Sequence, residues 1–344
     1  MKSTRAQIVS GDCERVYASA GQSLQGLAGA SITVTGGTGF MGAWILELIA
    51  YLNARQGMGI TVTALARDSG RLIAAMPHIA HLPWLCLQRN DVRTLGEMPK
   101  NTSHIIHAAG DPDSRSHASR PVETMRVIAE GAAAVIAAAQ RLGHLRQILN
   151  VSSGNIPHTG TALPGDLART VSAPYVEAKR YAETLFQAAR SELRLPVVQV
   201  RPYSFLGPYQ QADAPWAANA FLRDAMCGRA IRILGDGESI RTVMYGADLA
   251  MWMLVMLEKG RDGMTYSVGA DTGHSMKSIA QAVADQFHPR PAILLNCALA
   301  GAPTKTCYVP DLSAVRQALN LRTYTDLATA VAHYQLWLEA PADA

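Results

Sequence analysis

The chain is poor in the residues that staple a fold, anchor it in a membrane or draw it to a polyanion. Cysteine occurs five times in 344 residues, at 13, 86, 227, 297 and 307, and no two form a C-x-x-C pair. An odd, scattered set argues against a disulfide framework and a structural zinc site, and implies reduced thiols and a cytoplasmic protein. Charge is sparse as well. Asp, Glu, Lys and Arg make up 17% of the residues, the balance is +4 and no basic run occurs. That removes the electrostatic footprint of a nucleic-acid binder and leaves a small anionic ligand open. The longest apolar run, "LAMWMLVML" at 249–257, is far too short to cross a bilayer, and the opening "MKSTRAQIVSGDCERVYAS" lacks an apolar signal core. No segment repeats. Alanine-rich "EGAAAVIAAAQ" carries Val135 and Ile136 at core spacing, so it reads as a tightly packed helix rather than low-complexity sequence.

What is present is a rhythm. Residues 1–30 read as a short helical extension with Val16, Leu24 and Leu27 as docking residues. From residue 31 apolar, β-branched runs follow one another: "SITVT", "ITVTALAR" at 60–67, "WLCLQRNDV", "HIIHAAG", "QILNVSS" and "PVVQVRP". Helical stretches such as 121–142 and 175–193 separate most of them. Strands alternating with helices imply an α/β fold, a doubly wound parallel sheet covered on both faces. Past Arg201 the rhythm loosens into loops and short elements, which suggests a smaller C-terminal domain over 203–344.

"TGGTGFMG" lies directly between the first strand and the first long helix, with Gly36, Gly39 and Gly42 at G-x-x-G-x-x-G spacing and Phe40 and Met41 opening the helix. Glycines permit a tight turn and close backbone approach, and a helix N-terminus offers free N–H groups and a positive dipole end to a pyrophosphate. This turn makes 31–202 a Rossmann dinucleotide-binding domain, which also receives part of 240–270. At the end of the second strand an NAD site usually offers an acid to the adenosine ribose, whereas an arginine meets a 2′-phosphate. Here Ala66 stands where the acid is expected and Arg67 follows, which favours NADP(H). NAD stays open because Asp68 is near, and Arg71 reads either as a second phosphate contact or as a solvated helix charge. After the third strand, Asp91 and Val92 are placed at an adenine, with a helix N-cap as the other reading of Asp91.

Tyr175 and Lys179 stand one helical turn apart in "YVEAK". A tyrosine ionises near pH 10 in water, so acid/base work at neutral pH requires a neighbouring cation, and a lysine on the same face supplies one. Such a phenol can take a proton from a sugar hydroxyl or return one to a carbonyl. The spacing alone is weak evidence, but it follows a dinucleotide turn, and "NVSSG" ends the fifth strand with Ser153 in reach of the same substrate oxygen.

With these residues the chain resembles an extended short-chain dehydrogenase/reductase of the nucleotide-sugar epimerase/dehydratase family, from about residue 31 to 320. "TGGTGFMG" resembles the cofactor turn and "HAAG", with Ala108 and Ala109, the segment under the nicotinamide. Ser153 matches the serine or threonine position, and Tyr175 and Lys179 the acid/base pair, Lys179 also holding the nicotinamide ribose. "RPYSFLGP", containing Ser204, resembles the stretch that approaches nicotinamide and sugar, and "GDGESIRTVMYGADLA" the substrate-domain signature, in which Arg241 corresponds to the residue that binds the nucleotide diphosphate. The resemblance implies a nucleotide-diphosphate sugar substrate and a homodimer built through helices 121–142 and 175–193.

Departures narrow the chemistry. Members that dehydrate a hexose carry an acidic pair directly after the serine or threonine, and decarboxylases keep a glutamate there. This chain reads Ser153, Gly154, Asn155, Ile156, so neither is expected. "PHTG" at 157–160 replaces the usual tyrosine and glycine, and Ile128 the usual asparagine of the following helix. What remains is oxidation and reduction at one sugar carbon, most naturally C4. A 4-ketoreductase is the leading expectation, with a 4-epimerase holding NAD tightly as the alternative and a non-catalytic NADP-binding redox sensor as a reading of another class. Asp111 and Asp113 read equally as contacts to sugar hydroxyls and as caps, Trp216 and Asn219 lie in the presumed substrate domain, and His78 and His81 read as packing residues without an obvious carboxylate partner rather than as metal ligands.

Overall fold

The computed structural model describes residues 3–156, 172–211, 213–296 and 306–342. The expectations that fall on 157–160 and on Cys297 lie outside the described residues. The six apolar runs form strands β1 (Ser31–Thr35), β2 (Thr61–Ala66), β3 (Leu85–Arg89), β4 (His104–His107), β5 (Gln147–Val151) and β6 (Val197–Pro202). A seventh strand, Thr265–Val268, comes from the second half of the chain and pairs parallel with β6. The sheet is parallel throughout and ordered Thr265–Val268, β6, β5, β4, β1, β2, β3. Because every strand runs the same way, the segments that follow β1, β2, β3, β4 and β5 all emerge at one edge, where ligands of this architecture bind.

Two apolar layers cover the sheet. On one side the helix Phe40–Gln56 is buried nearly all round, with Trp44, Ile45, Leu46, Leu48, Ile49 and Leu52 inaccessible to water. A helix apolar on every face needs partners on every face. Gly246–Lys259 and the N-terminal helix Arg5–Ala20 supply them, and all three share one core cluster with the sheet. Val16, Leu24 and Leu27 dock there as expected, joined by Val9 and Cys13. The same N-terminal helix buries Asp12, which accepts from the Tyr245 hydroxyl at 2.6 Å and sits 2.6 Å from His333 Nδ1 and 3.0 Å from Arg15 Nη2. On the other side Pro121–Ala139 and Ala173–Leu193 pack together over β4 and β5 through Ile128, Ala132, Val135, Ala178, Ala182 and Phe186.

Beyond β6 the chain builds small sheets. Ile240–Thr242 is flanked by Gly273–Ser275, antiparallel, and Cys307–Tyr308, parallel. Ile231–Leu234 pairs with Ile293–Asn296, and Phe205–Leu206 with Met244–Tyr245. Asp248, wholly buried, accepts the backbone N–H groups of Tyr324 (2.5 Å) and Thr325 (3.1 Å), which ties the helix Gly246–Lys259 to the C-terminal segment.

Candidate active site

The glycine turn is dictated by close contacts. Gly36 has φ +75°, and a Cβ there would meet the Ala108 carbonyl oxygen at 2.7 Å. Gly42 packs so tightly on Gly37 that a Cβ would lie 2.4 Å from its carbonyl oxygen. The first glycine brings the turn against the end of β4 and the last seats the helix on the turn. Gly39 is the helix N-cap, so the free N–H groups of Phe40 and its neighbours face the carboxyl edge of the sheet.

A cavity of about 280 Å³ opens there, lined by Gly36, Thr38, Gly39 and Phe40 of the turn, Ala66, Arg67 and Arg71 after β2, Asp91 and Val92 after β3, and Ala108, Ala109 and Asp111 after β4. Met41, Gly42 and Lys179 are not in its lining, although the Lys179 ammonium comes within 3.4 Å of where Gly110, which is in the lining, would carry a Cβ. Arg67 and Arg71 have no ion-pair partner among the described residues, whereas Asp68 caps the turn by accepting the Gly70 N–H at 3.0 Å. Asp91 has its carboxylate engaged: it caps the short turn Val92–Thr94 and is gripped by the Arg93 guanidinium at 2.6 and 3.0 Å, which holds its carboxyl down at about 2. Arg120 also lines the cavity, a cation the sequence reading did not single out because nothing in its neighbourhood marks it.

Ser153, Tyr175 and Lys179 gather beyond the end of this cavity, all nearly inaccessible. Ser153 follows β5, and Tyr175 and Lys179 lie on the helix that Pro174 starts. The Ser153 hydroxyl accepts the Asn155 N–H at 3.1 Å and lies near enough to the Tyr175 phenol to favour its ionised form. The Lys179 ammonium donates to the Val151 carbonyl at 2.7 Å and stands 5.9 Å from the centre of the Tyr175 ring. The lysine was expected to lower the tyrosine's pKa. Instead burial pushes the Tyr175 phenol up, with only the neighbouring Ser153 opposing it, while burial also pulls the Lys179 ammonium down to about 8. The physical reason is that the ammonium is directed at the Val151 carbonyl rather than at the phenol.

Three aromatic neighbours were not singled out in the sequence. His117, buried on the short helix Ser114–Ser119, lies flat on the Tyr175 ring at 4.3 Å. Above Gly154, the residue next to Ser153, the Tyr203 and Tyr308 rings meet at 4.5 Å, tilted 35° to each other; a Cβ on Gly154 would lie 2.7 Å from the Tyr203 ring and 2.8 Å from the Tyr308 hydroxyl. Any side chain at 154, a carboxylate included, would have to displace them.

The remaining expected residues are placed as follows. The Asp111 carboxylate accepts the Asp113 N–H at 2.9 Å, and Asp113 caps the next helix and pairs with Arg115 at 2.6 Å, so both acids serve the turn although Asp111 also lines the cavity. Ser204 is half-buried and its carbonyl accepts the Met244 N–H at 3.0 Å. Arg241 is half-exposed, donating to the Ile240 carbonyl at 2.8 Å and to the Thr306 hydroxyl at 2.8 Å, outside the cavity lining. Trp216 lines the cavity, and Asn219 is buried behind it, its amide 3.4 Å from the Gln211 carbonyl. His78 does have a carboxylate partner, which corrects the sequence reading: Glu47, on the helix Phe40–Gln56, stands 2.9 Å from its Nε2. Among the described residues no cluster of His, Cys, Asp and Glu could hold a metal, and no helix is long and apolar enough to cross a membrane.

Comparison with known proteins places this geometry. A profile of the NAD-dependent epimerase/dehydratase family matches residues 32–269. The dTDP-glucose 4,6-dehydratase of Haemophilus influenzae is 22% identical over 258 residues, 70% of this chain and 75% of that enzyme. A trifunctional UDP-glucose 4,6-dehydratase/UDP-4-keto-6-deoxy-D-glucose 3,5-epimerase/UDP-4-keto-L-rhamnose-reductase of Arabidopsis thaliana is 26% identical over 199 residues, which span 56% of this chain and only 29% of the plant protein. In fold, the chain is similar to the UDP-glucuronic acid 4-epimerase of Bacillus cereus, solved with UDP-glucuronic acid and NAD, at a TM-score of 0.73 and 17% identity over 90% of this chain and 99% of that one.

Proposed function

This chain belongs to the NAD-dependent epimerase/dehydratase family, and on that premise we propose that it is an NADP(H)-dependent 4-ketoreductase of a nucleotide-linked hexose. The observation that carries the proposal is the buried cluster of Ser153, Tyr175 and Lys179, in which burial keeps the Tyr175 phenol protonated beside the serine. A protonated phenol is set to give a proton, which is the need of a ketone being reduced. Ser153 would hold the ketone oxygen, Tyr175 would protonate it, and Lys179 would keep the local field positive from its place on the Val151 carbonyl. The dinucleotide, when bound, supplies the hydride. The residues around the cavity fit such a group: a glycine cradle that a Cβ would fill, a helix N-terminus, and two arginines, without ion-pair partners among the described residues, where a ribose-binding acid would otherwise be expected. The arginines support NADP(H) over NAD.

Elimination chemistry, the activity named for the relatives from Haemophilus and Arabidopsis, is disfavoured because Gly154 lies under two tyrosine rings and Asn155 cannot ionise. Epimerisation, the activity of the Bacillus cereus protein, needs the same serine and tyrosine and is the second reading. Incubation with a 4-keto nucleotide sugar separates the two. Loss of reduced-nicotinamide absorbance, faster with NADPH than NADH, supports reduction, whereas isomerisation of the sugar without net cofactor turnover overturns it. We further propose a cytoplasmic homodimer formed through Pro121–Ala139 and Ala173–Leu193, which expose Val122, Met125 and Tyr181; a monomeric mass by light scattering would refute that assembly.

A further inference from the structure

A second cavity, of about 270 Å³, adjoins the dinucleotide cavity, and Thr38, Arg71, Tyr209 and Gln211 line both. Its other walls come from further away. Leu72 and Met76, buried on the segment after β2, form an apolar side, and Arg5 and Trp337 bring the helices Arg5–Ala20 and Leu327–Glu339 to it. Both of these residues lie outside 32–269, the stretch matched by the family profile, so the cavity is not one that the profile describes. Its charge has one sign. Among the described residues no acid lines it, and neither Arg5 nor Arg71 has an ion-pair partner. Arg5 is held in place: its Nε donates to the Trp337 carbonyl at 3.2 Å, and its guanidinium lies 4.6 Å from the centre of the Trp337 ring. A guanidinium fixed through Nε still presents its two Nη groups as a fork for an oxyanion. Tyr209, which lines both cavities, has φ +71°, a backbone conformation uncommon outside glycine. Its hydroxyl donates to the buried Glu47 carboxylate, and its ring packs edge-on against Trp44 and Trp337. Residues that their surroundings hold in such a conformation gather at ligand sites.

We propose that this cavity binds a small organic anion, a phosphate or carboxylate on a compact apolar or aromatic body, and that this anion competes with NADP(H) for Arg71. Two cations without an acid select a negative head, and Leu72, Met76 and Trp337 offer its body an apolar wall. At about 270 Å³ the space lies just below the ~300–1,000 Å³ usual for ligand clefts, which suits a body of one ring rather than a dinucleotide. The anion site stands on its own residues; only the competition rests on the proposed role of Arg71 at a 2′-phosphate. An anion seated at Arg71 weakens NADP(H) and spares NAD(H), which makes the cavity a regulatory site for the cofactor rather than for the sugar.

Calorimetry on the full chain, with no dinucleotide added, would titrate phenyl phosphate, benzoate and, as the neutral control, phenol. At least one of the two anions should bind, and phenol should not. Two variants locate the binding: Arg5→Ala removes a cation that does not line the dinucleotide cavity, and Ala75→Trp fills the second cavity while keeping both arginines. Each should weaken the anion by about tenfold or more, the worth of a hydrogen bond to a charged group, and leave NADH affinity within about twofold, which shows that the fold is intact. An anion that binds both variants as it binds the unaltered protein sits elsewhere and overturns the site, as does binding of neither anion or equal binding of phenol. In competition titrations the bound anion should weaken NADPH more than NADH. Equal weakening, or none, overturns the competition at Arg71. A protein that prefers NADH to NADPH with no anion present removes the proposed cofactor preference, and the competition with it, while the Arg5 and Ala75 variants still decide the anion site.

Discussion

The imidazole of His117 lies parallel to the ring of Tyr175, centroids 4.3 Å apart and planes 12° from each other. The ring is anchored from behind: Nε2 stands 2.7 Å from the Asp111 carbonyl, which can only accept, so Nε2 carries the proton and donates. Held this way, His117 is a flat wall that fixes the plane in which the phenol can turn. Nδ1 is buried without a partner among the described residues. The arrangement predicts that His117→Ala lowers kcat about tenfold, the size of a lost aromatic contact, with NADPH affinity unchanged. His117→Phe, which restores a ring, should recover most of the loss. Steady-state kinetics with a 4-keto nucleotide sugar would show it.

Tyr175→Phe removes the proton donor and leaves the ring, its stack on His117 and its packing in place. Turnover should fall by about 10²- to 10⁴-fold, with dinucleotide binding retained. A variant with full biological function would instead favour a protein that binds NADP to sense it.

Arg67 and Arg71 line the cavity without ion-pair partners among the described residues. Replacing either with alanine should weaken NADPH binding about tenfold or more, the worth of a charge-assisted hydrogen bond, and leave NADH binding within about twofold. Equal losses for both cofactors in titrations would show that the arginines do not read the 2′-phosphate.

Stability should fall on acidification. Burial depresses His104 to about 4 and His107 to about 3, below the ordinary 6.5, so the unfolded chain takes up these protons first as the pH drops. Their contribution is complete above about pH 6.5 and is lost progressively below it. Asp248 opposes this: burial raises it to about 6, so it binds a proton in the folded state first and costs stability as the pH rises from about 4 to 6. Two histidines against one carboxyl leave about one net proton, or roughly 1.4 kcal/mol of stability lost per pH unit between about 6 and 4. Asp248→Asn, whose amide oxygen can still accept from Tyr324 and Thr325, should steepen the fall of Tm with acid. A slope unchanged or shallower in thermal melts would contradict the account.

Local pattern revealed what is local. Six strands, the glycine turn and the Tyr175–Lys179 spacing were legible because period, turn chemistry and helical pitch are written within a few residues of each other. The seventh strand was legible only in part, as a segment from 240–270 returning to the first domain, since its neighbour β6 is far away in sequence. His117 and Tyr308 were missed because their meaning lies in contacts to Tyr175 and Gly154 that only the folded chain creates. His78 was read without a partner because Glu47 sits on a different helix. The Tyr175 pKa was misjudged for a related reason: spacing shows that a lysine is near, but not that its ammonium points at a backbone carbonyl or that water is excluded from the phenol.

The pairing of Thr265–Val268 with β6 also bears on how a ribosome must deliver this protein. The outer edge of β6 stays open while some sixty further residues are synthesised, and an open edge is a template for wrong partners. The first helix is in the same position, since the His333 that meets Asp12 lies 321 residues further along the chain. Both the sheet edge and the buried face of the first helix therefore wait for segments distant in sequence, and until these arrive they are surface of the kind that aggregates.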